Sequence, residues 1–87
     1  MVNKEWEVLQ RWEGYVESIN LEEKLFSAVI LDERNPNNPR EEVEIHFEEI
    51  SDHDLPLITT GAVFYWSIGY ETEIGGQKKR VSVIRFK

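Results

Sequence analysis

The chain has 87 residues, no cysteine, a formal net charge of −7 and ten aromatic residues. That length makes one domain, which buries only roughly 60–65% of the surface its unfolded chain would expose, so the rings have to supply an economical core. Disulfides and thiolate metal sites are excluded, and no apolar run approaches the ~20 residues that span a bilayer.

Lys4, Glu5, Glu7 and Arg11 interrupt any secretory-type apolar stretch, so a soluble cytoplasmic protein is the expectation. The charge is unevenly placed. All 17 acidic groups precede residue 78, with only Lys4, Arg11, Lys24, Arg34 and Arg40 among them. The last ten residues hold Lys78, Lys79, Arg80, Arg85 and Lys87 and no acid. An acidic body disfavours non-specific nucleic-acid binding, which depends on neutralising phosphates.

Period-2 alternation recurs along the chain, and helical periodicity is nearly absent. Trp12–Ile19 reads as a first strand, with Gly14 as the place for a bulge or bend. Trp6 and Val8 either extend that strand or form a separate one. A polar turn, Asn20-Leu21-Glu22-Glu23, leads to Leu25–Leu31, which is apolar on both faces except for Ser27 and so suits a central strand. Asp32–Arg40, with two prolines and three asparagines, is a loop.

Glu42–Glu48 then alternates. Val43, Ile45 and Phe47 point one way and the glutamates and His46 the other, as in a half-buried strand with a solvated acidic face. Ser51 with Asp54 three residues on resembles a helix cap, and Pro56 fits a first turn. One short helical turn is expected there, laying Leu55, Leu57 and Ile58 across an open end of the fold. The last third is a hairpin about Gly75-Gly76. With those glycines as the two corners, Glu73 faces Lys78, Glu71 faces Arg80 and Trp66 faces Arg85. The sum is an all-β domain over residues 1–87: a small five-stranded antiparallel barrel, SH3-like or OB-like, with one short helical turn.

No phosphate loop, dinucleotide fingerprint, nucleophile elbow or zinc-protease motif is present. The two histidines, His46 on a polar strand face and His53 in a turn, suggest no catalytic triad. His46, His53, Asp52 and Asp54 match no established ligand spacing, and Asp54 already has a capping use, so neither metal nor cofactor is expected. Two surfaces stand out instead. Glu42, Glu44, Glu48, Asp52 and Asp54 form an acidic stripe that either protects an edge strand or holds a basic partner protein. Tyr65 and Trp66 lie beside Lys79 and Arg85, the residue types of a base-stacking nucleic-acid surface; the alternative is alternate rings in the core, with Trp66 against Arg85 as a cation–π pair.

The blocks Trp12-Glu13-Gly14-Tyr15-Val16, Phe26–Asp32, Gly61–Tyr70 and Arg80–Phe86 follow the order W-E-G-x-V, F-x-A-x-L/I-x-D, G-A-x-F-x-W-x-I-G-Y and R-x-S-x-I-R-F. This order resembles a group of small bacterial proteins of unassigned function. The resemblance covers most of the chain; it implies a bacterial, cytoplasmic, stand-alone protein and brings no activity. The leading expectation is a non-catalytic protein–protein interaction module with an acidic binding face, in a regulatory or antitoxin-like role. The alternative is a nucleic-acid-binding barrel that uses the C-terminal hairpin.

Overall fold

The structure, a computed structural model, describes residues 5–87; Lys4 lies outside them. Five strands, β1 (Glu5–Asn20), β2 (Leu25–Asp32), β3 (Glu41–His46), β4 (Val63–Thr72) and β5 (Lys78–Phe86), form one antiparallel sheet in the order β3-β2-β1-β4-β5. Two 3₁₀ turns, Phe47–Glu49 and Leu55–Leu57, lie between β3 and β4. Among the described residues no helix is long and apolar enough to cross a membrane.

Trp6 and Val8 belong to β1, which is one strand with two partners. Residues 5–15 pair with β4 and residues 12–20 with β2. A strand can serve both only by bending, and β1 has register shifts between Val8 and Gln10 and between Val16 and Ser18. Leu9 and Glu17 are the extra residues. Gly14, expected to mark a bulge, instead pairs regularly with Ile30 and Phe64 and is buried, because a Cβ there would meet the Phe64 ring.

β2 is the central strand its composition suggests, with Phe26, Ala28 and Ile30 buried on one face and Leu25 and Val29 on the other. Phe26, Phe64 and Phe86 meet with ring centroids 5.3–5.9 Å apart. In a flat sheet β2 and β5, three strand spacings apart, would stand about 14 Å from each other. The sheet therefore curls, and its concave face is the core, completed by Val16, Ile45, Ile50 and Ile84.

The sheet does not close into a complete barrel: among the described residues no ladder joins β3 to β5. Residues 47–58 occupy that opening. Ile50 is buried, Leu55 and Ile58 pack on the core, and the Phe86 amide donates to Asp54 Oδ2 at 2.9 Å. Leu57, expected to join them, is 44% exposed. Ser51 makes no side-chain cap; its carbonyl accepts from the amides of Asp54 and Leu55 instead. The acidic strand also ends earlier than its alternation suggests. Phe47 starts a 3₁₀ turn and rests against Phe26 at 6.4 Å.

The hairpin register differs by one residue from the one read off its charges. Thr72 faces Lys78, Glu71 faces Lys79, Tyr70 faces Arg80 and Trp66 faces Ile84. The loop has three residues, Ile74-Gly75-Gly76, and is closed by the Glu73 amide on the Gln77 carbonyl at 2.8 Å. Both glycines have positive φ, 91° and 84°, which only glycine adopts without strain. The slip puts Ile74 in the loop, 73% exposed. It also sets Ile84, rather than Arg85, opposite Trp66 on the core side.

Candidate interaction surfaces

Side chains opposite one another in an antiparallel ladder share a face, so the registers sort every residue into concave or convex. On the concave side the row is Asp32, Trp12, Trp66 and Ile84. The two indoles meet at 5.1 Å, and Trp66 Nε1 donates to Ser82 Oγ at 2.7 Å. Trp66 is thus a rim residue of the core with its polar atom satisfied.

Tyr65, Arg85 and Lys79 are on the convex side. Tyr65 lies directly opposite Arg85, and Lys79 lies opposite Glu71. The four residues suggested for nucleic-acid stacking are therefore divided between two faces. Phe64, Tyr65, Trp66 and Tyr70 make no exposed row, since Phe64 is fully buried and Tyr65 projects away from the other three. The cation–π pairing of Trp66 with Arg85 is corrected for the same reason.

The acidic residues divide differently. Glu42 and Glu44 project from the convex face of β3, opposite Val29 and Ser27, and are exposed. Glu48 and Asp52 are exposed in the segment that follows. Asp54 is half-buried and its carboxylate holds the Phe86 amide, so it fastens the 47–58 segment to β5. No three His, Asp or Glu side chains converge among the described residues.

Beside Glu44 the convex face carries an open depression of about 540 Å³, lined in part by Ser18, Asn20, Leu21, Glu22, Ser27 and Glu44. Its floor is the β1–β2 end of the sheet. Its wall is the turn over Leu21–Lys24, where Asn20 Oδ1 accepts the Glu23 amide and Lys24 takes φ 54°. Hydroxyls, an amide and two carboxylates around the 75%-exposed Leu21, with Ile19 and Leu25 also in the lining, make a surface suited to a cationic side chain with an aliphatic stem. The sequence marked its parts separately, Asn20–Glu22 as a polar turn, Glu44 in the acidic stripe and Ser27 as the single polar residue of an otherwise apolar strand, but nothing in it brought them together.

A second constellation went unread in the sequence. Arg34 reaches from the β2–β3 loop to donate to the carbonyls of Val8 and Leu9, both at 3.1 Å, across the first bulge of β1. Asp32 Oδ1 accepts the amides of Arg34 and Asn35 at 2.9 and 3.3 Å. The Gln10 side chain first, and then these amides and Asn38, hold the Asp32 carboxyl below its ordinary value against partial desolvation. The group ties the loop to the bulge and has the character of a structural clamp.

Comparison with protein-family models, with curated proteins and with solved structures finds no match to this chain.

Proposed function

We propose that the chain is a non-catalytic, cytoplasmic interaction module that engages a basic partner protein through its β2–β3 side, in a regulatory or antitoxin-like role. The observation that carries this reading is the placement of Glu42 and Glu44. They stand exposed on the convex face of an edge strand whose other face is committed to the core, with Glu48 and Asp52 beyond them. Charges so placed raise the encounter rate with a basic surface and reject acidic ones.

The topology supports an OB-like rather than an SH3-like reading of the fold. A long bent β1 shared by β2 and β4, with β3 and β5 at the two edges flanking a gap, is the plan of a partly open five-stranded Greek-key barrel. Such barrels bind oligonucleotides on the strand 2–3 face and the loops beside it. In this chain that face presents Glu42 and Glu44, and the adjoining turn presents Glu22 and Glu23. Phosphate is repelled there. The Tyr65–Arg85 pair with Lys79 and Lys87 is the better place for a nucleic acid, and it favours a second reading as a nucleic-acid barrel.

Fluorescence polarisation with short single-stranded and duplex oligonucleotides at ~0.15 M salt separates the two, since exposed charges are then screened beyond ~8 Å. Weak, featureless binding is expected, and partner capture that survives nuclease and is lost when Glu44 and Glu48 are reversed to Lys. Sub-micromolar binding that disappears in Arg85→Ala would replace the interaction module with the nucleic-acid barrel.

A further inference from the structure

The two edges of the sheet are opposite in charge, and their free backbone groups can be assigned. The Lys87 amide donates to the Val63 carbonyl, and that of Glu73 to Gln77. In an antiparallel ladder hydrogen-bonded pairs alternate with non-bonded ones, so the odd-numbered residues of β5 turn their N–H and C=O toward β4. The even-numbered ones turn outward, and the Phe86 amide, taken by Asp54 on that side, agrees. Ser82–Arg85 face Glu48–Ser51 across a shallow gap, which leaves Lys78 and Arg80 to present the open part of the β5 edge. By the same argument from the Phe47 amide on the Lys24 carbonyl, Glu42, Glu44 and His46 turn their backbone groups outward from β3.

Charge on an exposed edge ordinarily prevents strand pairing between molecules. Here it forbids only half of the combinations. A β3 edge bearing Glu41, Glu42 and Glu44 repels another β3, and a β5 edge bearing Lys78, Lys79 and Arg80 repels another β5. A β3 edge attracts a β5 edge. We infer that this chain associates with a second copy of itself head to tail, with β5 of one molecule added as a strand to β3 of the next. Such a contact is heterologous, so it builds a ring where the rotation closes and a filament where it does not. The inference rests on the interaction-module reading to the extent that it uses the same acidic edge, and it names the chain's own β5 as one basic occupant.

Sedimentation analysis of the full chain over a range of concentrations at low and ~0.15 M salt tests it. The wild type is expected to shift from monomer to larger species with concentration, and E42K/E44K and K78E/R80E are each expected to remain monomeric. Mixing the two variants restores association, because each then finds a complementary edge. R80P removes one outward N–H and none from the β4 ladder, so it should lose association while keeping the wild-type circular dichroism spectrum. A wild type monomeric up to ~1 mM, or reversed variants that associate like the wild type, overturns the inference. So does a folded R80P protein that associates unchanged, since charge alone would then be acting. Capture of a host partner, measured in parallel, keeps the two readings apart. Loss of capture in E42K/E44K with a wild type that stays monomeric leaves the interaction module standing and removes self-pairing alone.

Discussion

The two ends of β1 sit in different surroundings. Its second half, with β2, β3, the ends of β4 and β5, and the 47–58 segment, encloses Val16, Phe26, Ile45 and Phe64 at 2% exposure or less. Its first half joins residues 67–72 and 78–83 in a three-stranded arm in which, among the described residues, only Gly69 is buried. The first region is held by packing, and the second by a hydrogen-bonded ladder with modest side-chain cover. Regions of the second kind open locally at a fraction of the global free energy. The arm should therefore exchange its amides by partial opening, and the core only when the whole domain unfolds.

Phe26→Ala has the largest effect by this comparison. Phe26 is fully buried and touches Phe47, Phe64 and Phe86, and truncating such a ring costs about 3–5 kcal/mol. That is comparable to the whole stability of a small domain, so the variant is expected to lack a cooperative thermal transition at 37 °C and above. A well-defined melt near the wild-type temperature would show that the sheet does not curl about this ring.

Two glycines sharpen the contrast. A Cβ on Gly14 would meet the Phe64 ring and Ile30, while a Cβ on Gly69 would overlap the backbone carbonyl of Glu7 beside the first bulge. Each Ala variant forces a shift that costs about 1–3 kcal/mol or more. The location differs. Gly14→Ala lowers the global transition read by circular dichroism. Gly69→Ala speeds hydrogen exchange in residues 6–8 and 68–71 and moves the global transition less. Equal changes in global stability with unchanged arm exchange would mean that arm and core unfold as one unit.

Most of this architecture was written in local pattern, and the failures have a common cause. Alternation identified the strands because burial on one face leaves a period-2 trace, as in Val43 and Ile45 against Glu42 and Glu44. Gly75 and Gly76 marked their turn because positive φ nearly requires glycine. The bulges at Leu9 and Glu17 left no such trace, since they answer to the need of one strand to serve two partners. Asp54 looked like a cap to the residues around it, and its use is with Phe86, 32 residues away. The acidic stripe was readable because surface charge is local. The depression beside Glu44 was not, because it is assembled from two strands and a turn.

Asp54→Ala should cost about 1–3 kcal/mol, because it leaves the half-covered Phe86 amide without its acceptor. It tests whether the 47–58 segment is fastened to β5, and the exchange rate of that amide reports it directly. Effects in the arm's clamp should be smaller. Asp32 has a depressed folded-state pKa, caused first by the Gln10 side chain, so its contribution is present above the ordinary carboxyl value and is lost as pH falls through the folded one. The wild type should lose slightly more stability than Asp32→Asn over that acid window, and parallel pH profiles for the two proteins would remove the clamp.

The smallest effect decides the hairpin register. Cross-strand ion pairs on exposed sheet surfaces contribute about 0.2–1 kcal/mol, too little to overrule a turn conformation or the burial of a large apolar side chain. A register that set Glu73 against Lys78 and Glu71 against Arg80 would gain two such pairs. It would leave Trp66 beside Trp12 but set Arg85 opposite it on the core side, where Ile84 now stands buried. Burying one large apolar side chain is worth about 1.5–3 kcal/mol, so the burial of Ile84 prevails over the charges. The observed register still brings Glu71 opposite Lys79 on the convex face. A double-mutant cycle on Glu71 and Lys79 should therefore give a coupling of at most ~1 kcal/mol that fades at high salt, and the same cycle on Glu73 and Lys78 should give additive effects. Coupling at Glu73–Lys78 with none at Glu71–Lys79 would move β5 by one residue, exchange every side chain between its faces, and put Arg85 where Ile84 now meets the core.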